Sequence, residues 1–204
     1  MSAPASSKTR TRQTRERSRR RIIDATNQLV RERSYAELNV GEVMSRAGLG
    51  RTIFYRHFDD LGDLLLRAGR EAVDQLYEAQ LKLASTRVDH GPNAVRDAIR
   101  LPVEVYERHG PVLRAISDAG ASDPDVARGH DAILRRFDEL VATVLRNAEK
   151  ETGRRFDDID EAARALNRLN ESYLLEVFGR EPRVTVDTAV QTLTEIWIGA
   201  LGVS

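Results

Sequence analysis

Groups able to recognise or bind are concentrated in AGLGRTIFYRHF, residues 47–58. Gly48 and Gly50 come first, and Arg51, Thr52, Tyr55, Arg56 and His57 follow. A Gly-x-Gly pair opens a phosphate-binding loop when a strand precedes it and a third glycine completes the fingerprint. It also serves as the elbow between two short helices. Here Ile53 stands where the third glycine would fall, a capped helix precedes the pair, and no GxxxxGK[ST] occurs in the chain. The elbow is the reading that fits. On a helix running from 51 to about 57, Ile53, Phe54 and Phe58 face inward, leaving Arg51, Thr52, Tyr55 and Arg56 on the other side. Guanidinium, hydroxyl and phenol groups answer base edges and phosphates. The chemistry they suit is recognition of a nucleic acid.

The elements around this stretch read as helical throughout. Ile22, Ile23, Ala25, Thr26, Leu29 and Val30 make one apolar stripe in a helix starting near Arg15, with Arg17, Arg19, Arg20 and Arg21 crowding its start against the helix dipole. Asn39 is an N-cap with Glu42 as the returning half of a capping box, and Gly48 ends that helix. Helix, glycine turn and helix is the helix-turn-helix arrangement, whose second helix enters the major groove. Beyond it, Asp59 or Asp60 caps a long helix to about Ala84. Gly91-Pro92-Asn93 opens one ending at His109-Gly110-Pro111, and a short helix follows to about Asp118. Asp123-Pro124, Asp157 or Asp158, and Thr185 start three more. The expected fold class is all-α with about nine helices.

Bulk composition narrows the classes. The 204 residues carry no net charge, but residues 1–58 hold 13 Lys+Arg against 5 Asp+Glu, and the remainder is acidic. A basic end on an acidic body points that end at a polyanion. Without cysteine there is no disulfide, thiolate metal site or cysteine nucleophile. His57, His90, His109 and His130 fall on separate elements without ligand spacing, so no metal is expected, nor a cofactor. No Gly-x-Ser-x-Gly elbow or other nucleophile–base signature occurs, so no catalytic residue is assigned. The absence of an apolar run approaching about 18 residues, or of a signal-peptide pattern, reads as soluble and cytoplasmic.

From Leu38-Asn39-Val40 through AGLGRTIFYRHF and into the next helix, the sequence resembles the tetracycline-repressor family of bacterial transcriptional regulators. ALNRLNESYLLEVFG (165–179), TLTEIWIGAL (192–201) and, more loosely, ASDPDVARGHDAILRRFDELVATVL (121–145) resemble its ethionamide-regulator branch. The resemblance implies a homodimer through the last two helices. Each subunit offers one helix-turn-helix to half of an inverted-repeat, double-stranded operator, and a small, largely hydrophobic effector lowers DNA affinity. Two positions depart from the family pattern. Met44 stands where a small residue is usual, four before the glycine, which would set the two motif helices slightly further apart. Leu61 replaces a common phosphate-contacting lysine.

Residue by residue, the resemblance places Arg51, Thr52, Tyr55 and His57 against DNA, and Gly50 is expected to let the N–H groups at the helix start approach a phosphate. Arg56 and the arm cations, Arg17 and Arg20 among them, are expected at phosphates. The alternatives are packing alone for Tyr55 and His57, turn geometry alone for Gly50, and a solvated tail for the arm. In the acidic body, Asn167 and Asn170 share one helix face with Leu166, Leu169, Tyr173 and Leu174. A buried amide must find a partner, so each is either a core Asn bonded to backbone or a ligand anchor. Tyr106, Leu134, Phe137, Leu140, Val141 and Trp197 would line the same apolar pocket, the alternative for each being ordinary core. The resemblance sets His130 at a pocket-lining aromatic position, whereas a lone histidine reads as a surface or internally satisfied side chain. The expected organisation is a disordered basic arm over 1–16, a helix-turn-helix domain over 17–62 and a ligand-binding and dimerisation domain over 63–204. Two rival readings are a helical small-molecule-binding protein without sequence-specific DNA binding, and a helical enzyme.

Overall fold

The computed structural model describes residues 5–85 and 91–203, and at positions 5–8 and 11 the backbone alone. The first four residues of the expected arm, and His90, lie outside the described residues. Among the described residues nine α-helices succeed one another: α1 Ala5–Glu32, α2 Val40–Ala47, α3 Arg51–Phe54, α4 Leu61–Ala68, α5 Arg70–Ser85, α6 Pro92–Gly120, α7 Pro124–Thr152, α8 Ile159–Phe178 and α9 Val186–Leu201. A 3-10 turn, Tyr35–Glu37, joins α1 to α2, and the described residues contain no strand.

The caps read from the sequence are in place. Asn39 accepts the Glu42 N–H at 3.0 Å, Asp123 accepts the N–H groups of Asp125 and Val126, Asp158 that of Glu161, and Thr185 that of Thr188. Each satisfies a donor that the helix itself cannot pair. Glu42 does not close the expected box; its carboxylate pairs with Arg33 at 2.6 Å.

Four differences from the sequence reading have physical reasons. First, residues 5–16, expected as a disordered arm, form the opening turns of α1. Few apolar residues argued for disorder, yet nothing from Ala5 to Glu32 is Gly or Pro, so a helix nucleated on the Ile22–Val30 stripe runs back unopposed. Arg17 to Arg21 therefore sit inside the helix, not at its start. Second, the recognition helix is shorter than expected: α3 ends at Phe54, and residues 55–57 form a turn. Third, the helix expected from Asp60 to Ala84 breaks at Gly69, where a Cβ would lie 2.4 Å from Ile116 Cδ1. The joint exists because α6 crosses there. Fourth, α6 is one helix through Pro102 and Pro111, not two. Gly110, just before the second proline, lies so close to the end of α8 that a Cβ would sit 2.2 Å from the Phe178 carbonyl oxygen. That packing holds the helix together across the missing N–H.

Two apolar cores result. One gathers Ile22, Leu29, Val43, Met44, Phe54, Phe58 and Leu64 from α1–α4 and the turn after α3 with Val112, Ile116 and Val126 from α6 and α7. Met44 is buried within it and Leu61 packs against it, so neither departure from the family pattern leaves a hole. The other core fills α5–α9 around Trp197, Phe137, Phe178 and Leu145. Because α6 and α7 enter the first core, the two halves are packed together rather than merely tethered.

Candidate nucleic-acid interface and internal cavity

Gly48 ends α2 with φ 62° and ψ 40°, a left-handed conformation that favours glycine. Leu49 N–H then returns to the Met44 carbonyl at 3.0 Å, closing a Schellman-type turn. Gly50 has φ −71° and ψ 146° with nothing within 4 Å of an added Cβ. Any residue adopts that backbone, so turn geometry alone does not call for glycine at 50. What glycine leaves there is an unobstructed path to the N–H groups at the start of α3.

The two aromatic neighbours at the end of α3 part company. Phe54 is fully buried, while Tyr55 is 60% exposed, its ring edge-on to Phe54 at 5.2 Å. Arg51, Thr52 and Arg56 are exposed beside it. Among the described residues these two arginines have no carboxylate partner. By contrast, Arg46 is clamped by Glu32 through two 2.8 Å bonds, and Arg67 pairs with Asp63 at 2.7 Å. The cations at the recognition turn are left uncompensated.

The long α1 contributes in an unexpected way. Arg15 Nη2 donates to the Arg56 carbonyl at 3.1 Å, and Arg21 Nη2 donates to the Gly48 carbonyl at 3.3 Å. Both cations hold carbonyls that helix ends leave unpaired. Arg10, Thr14, Arg15, Ser18, Arg56 and His57 line one groove, so α1 and the recognition turn form a continuous basic surface. Arg17 is exposed on α1, but Arg20 lines a different groove, with Arg67, Arg70 and Glu71. The structure does not bring Arg20 to the recognition face. His57 is half-buried; desolvation first, then the charges of Arg15 and Arg19, lower its pKa from the ordinary 6.5.

In the C-terminal half, two small adjoining voids lie between helices α5 to α9, with cavity volumes of about 30 and 40 Å³. They share Leu76, Tyr106, Phe137, Asn167 and Glu171 as walls. Of the residues expected at a pocket, Tyr106, Phe137 and Asn167 line both, Leu134 the second and Asn170 the first. Leu140, Val141, Tyr173 and Trp197 line neither. Trp197 is fully buried and its Nε1–H donates to Asn170 Oδ1 at 3.1 Å, so it orients the amide from behind. Asn167 is satisfied within the protein: its Nδ2 donates to the Leu134 carbonyl at 3.2 Å and to Asp138 Oδ1 at 2.6 Å. His130 lines the second void and meets Glu171 Oε1 at 2.6 Å. Burial, with the Glu171 carboxylate second, raises the Tyr106 pKa far above its ordinary 10, so the phenol stays protonated.

Sequence reasoning missed Gln80 and Glu171, both in the walls of the first void. A signal for Gln80 existed: it occupies the stripe Leu76, Ala79, Gln80, Leu83, where an apolar residue belongs.

Comparison with known proteins bears on both halves. Residues 22–68 match the family model described as bacterial regulatory proteins, tetR family, and residues 95–201, more than half of the chain, match that of the transcriptional regulator EthR, C-terminal domain. The HTH-type transcriptional regulator EthR of Mycobacterium tuberculosis is 29% identical over 184 residues, covering 88% of this chain and 85% of its own length. Its counterpart in Mycolicibacterium smegmatis is 26% identical over 187 residues, covering 88% and 84%. The fold is that of a TetR family transcriptional regulator, PfmR, from Thermus thermophilus, at 19% identity with a TM-score of 0.70 over 86% of this chain and 95% of that one.

Proposed function

Because the chain belongs to the TetR family of bacterial transcriptional regulators, with a DNA-binding helix-turn-helix and an EthR-type C-terminal domain, we propose that it is a ligand-responsive repressor. It binds an inverted-repeat operator as a dimer and is released when a small, largely apolar effector enters the C-terminal domain. The observation that carries this reading is the exposed and uncompensated face of Arg51, Thr52, Tyr55 and Arg56, mounted on a buried Phe54. Base edges are read by that face, while Gly50 admits a phosphate to the N–H groups of α3. The basic surface shared with α1 tracks the backbone.

His57 provides a proton-linked check. Its folded-state pKa is lowered, so the unfolded chain binds more protons and stability rises with pH through the window below 6.5. A phosphate near the ring acts in the opposite sense and favours the charged form. Operator binding then takes up a proton, and affinity increases from about pH 7.5 to about 6 more steeply in the wild type than in His57→Gln. Equal slopes would place His57 away from any phosphate.

The dimer is supported by the last two helices. Leu169 on α8 is 39% exposed and Ile196 on α9 is 38% exposed, and a Cβ on the neighbouring Gly199 would meet nothing within 4 Å. Two copies of this face would form a four-helix bundle setting the recognition helices about one DNA turn, roughly 34 Å, apart. Leu169→Glu combined with Ile196→Glu is expected to turn a dimer into a monomer in sedimentation and to abolish operator binding. A double variant that still sediments as a dimer places the interface elsewhere.

Release also has a route. Ile116 lines the second void, belongs to the N-terminal core and presses on Gly69 at the α4–α5 joint. Filling the void would move Ile116, and with it α4, which packs against α1 of the DNA-binding half. A coupling of about 1–3 kcal/mol would weaken operator binding about 5- to 150-fold.

A further inference from the structure

Among the described residues, Gln80 is the least satisfied polar side chain of the C-terminal half. Its residue is 7% exposed, it lines the first void, and its Oε1 is buried without a hydrogen-bond partner. An amide left so costs free energy unless something answers it. Its neighbours in α5, Leu76, Ala79 and Leu83, are apolar and buried, so packing gives no reason for a polar residue there. Leu or Met would fill the same position at lower cost.

Other polar groups reach the same void. Asn170 has its Oδ1 occupied by Trp197, which leaves the Nδ2 donors for whatever enters. Asn167 has already spent its Nδ2 on Leu134 and Asp138. Tyr106 presents a protonated phenol. Glu171 contributes a carboxylate already engaged by His130. The set offers an acceptor at Gln80 and donors at Asn170, within walls otherwise made by Leu76, Ile99, Pro102, Phe137, Leu174 and Leu193.

Building on the effector-binding reading of this domain, we propose that Gln80 is a specificity residue that selects effectors carrying a neutral N–H donor beside a carbonyl, an amide-type group, on an apolar body. A pure hydrocarbon or a ketone leaves Gln80 unanswered, and a carboxylate brings a second negative charge against Glu171. At about 30 Å³ the void holds little more than one water. An effector therefore enters by displacing Tyr106 and Phe137, the walls shared with the second void, and joins the two spaces.

Hexanamide and 2-heptanone test this directly, since they share chain and carbonyl and differ in NH2 against CH3. Binding to the full-length protein is read from Trp197, the chain's single tryptophan, whose N–H is bonded to the cavity-wall Asn170. No DNA is present, so the result stands apart from operator recognition. The ratio of hexanamide to 2-heptanone affinity is expected to fall about tenfold or more in Gln80→Met, the penalty of one unanswered buried amide. Gln80→Met without ligand is expected to melt higher than the wild type, because it removes the orphaned group. A ratio unchanged by the substitution overturns the proposal. So does a variant that melts lower, which would make Gln80 structural, and so does a wild-type protein that takes up neither probe. Asn170→Leu serves as a second variant. It should weaken both probes alike, because both carry the carbonyl, and an effect on hexanamide alone would move the donor site away from Gln80 and overturn its role.

Discussion

Tyr55→Ala lowers affinity for the operator by about 10- to 100-fold at about 150 mM salt, with the melting temperature essentially unchanged. The magnitude follows from about 1–3 kcal/mol for a side chain that reads a base edge. The unchanged stability follows from exposure: the ring is 60% accessible and meets the fold mainly through the edge of Phe54. Tyr55→Phe separates the hydroxyl from the ring. Arg51→Ala is expected to relax sequence preference, while Arg56→Ala weakens binding to all sequences and reduces the salt slope by about one counterion. Undiminished affinity in both Tyr55→Ala and Arg51→Ala would remove the recognition face from the account. Competition binding with labelled operator decides the matter, provided each variant's thermal midpoint is measured beside it.

Gly110→Val destabilises the fold by at least about 3 kcal/mol, lowering the melting temperature by roughly 6–12 °C. The added carbon would sit 2.2 Å from the Phe178 carbonyl oxygen and 2.6 Å from its carbonyl carbon. Both obstacles are backbone, so no rotamer change relieves them and α6 must separate from the end of α8. Pro111 follows directly, and a helix lacking that N–H depends on the packing it would lose. Urea denaturation checks the size of the effect. A Gly110→Val protein melting within about 1 °C of the wild type, far inside the expected shift, would mean that α6 and α8 do not cross as described. Gly120→Ala, on the same helix, is the control, since its added carbon meets nothing closer than 3.5 Å.

What could be read from the chain alone depended on the range of the signal. Caps and turns are local, so Asn39, Gly48, Asp123, Asp158 and Thr185 could be placed from a few neighbouring residues each. The split between Phe54 and Tyr55 could be read for the same reason: one turn of helix decides which ring is inside. The reading diverged where a distant element decided. Gly110-Pro111 reads as a helix end, and only the approach of α8 makes it a continuous crossing. Gly69 reads as an interior glycine of a long helix until Ile116 arrives from α6. The basic arm reads as disordered because composition cannot register that the stripe in α1 nucleates a helix running back to Ala5.

At the cavity the limit was different. Tyr106, Phe137 and the Asn167–Asn170 pair were found by periodicity and resemblance, which do not show which amide is already satisfied. Asn167 bonds to Leu134 and Asp138, and Trp197 takes the Asn170 oxygen. Gln80 was overlooked because a glutamine in a charged, polar helix draws no notice. Only its place in the apolar stripe marked it.

Whether this chain is a sequence-specific dimeric regulator is decided by selecting bound fragments from sheared genomic DNA at about 150 mM salt, where non-specific phosphate binding is suppressed. Such a regulator enriches one inverted-repeat sequence with half-sites about one helical turn apart, and Tyr55→Ala loses that enrichment. Recovery of nothing above background, both before and after unfolding, dialysis and refolding to strip any bound effector, would contradict it.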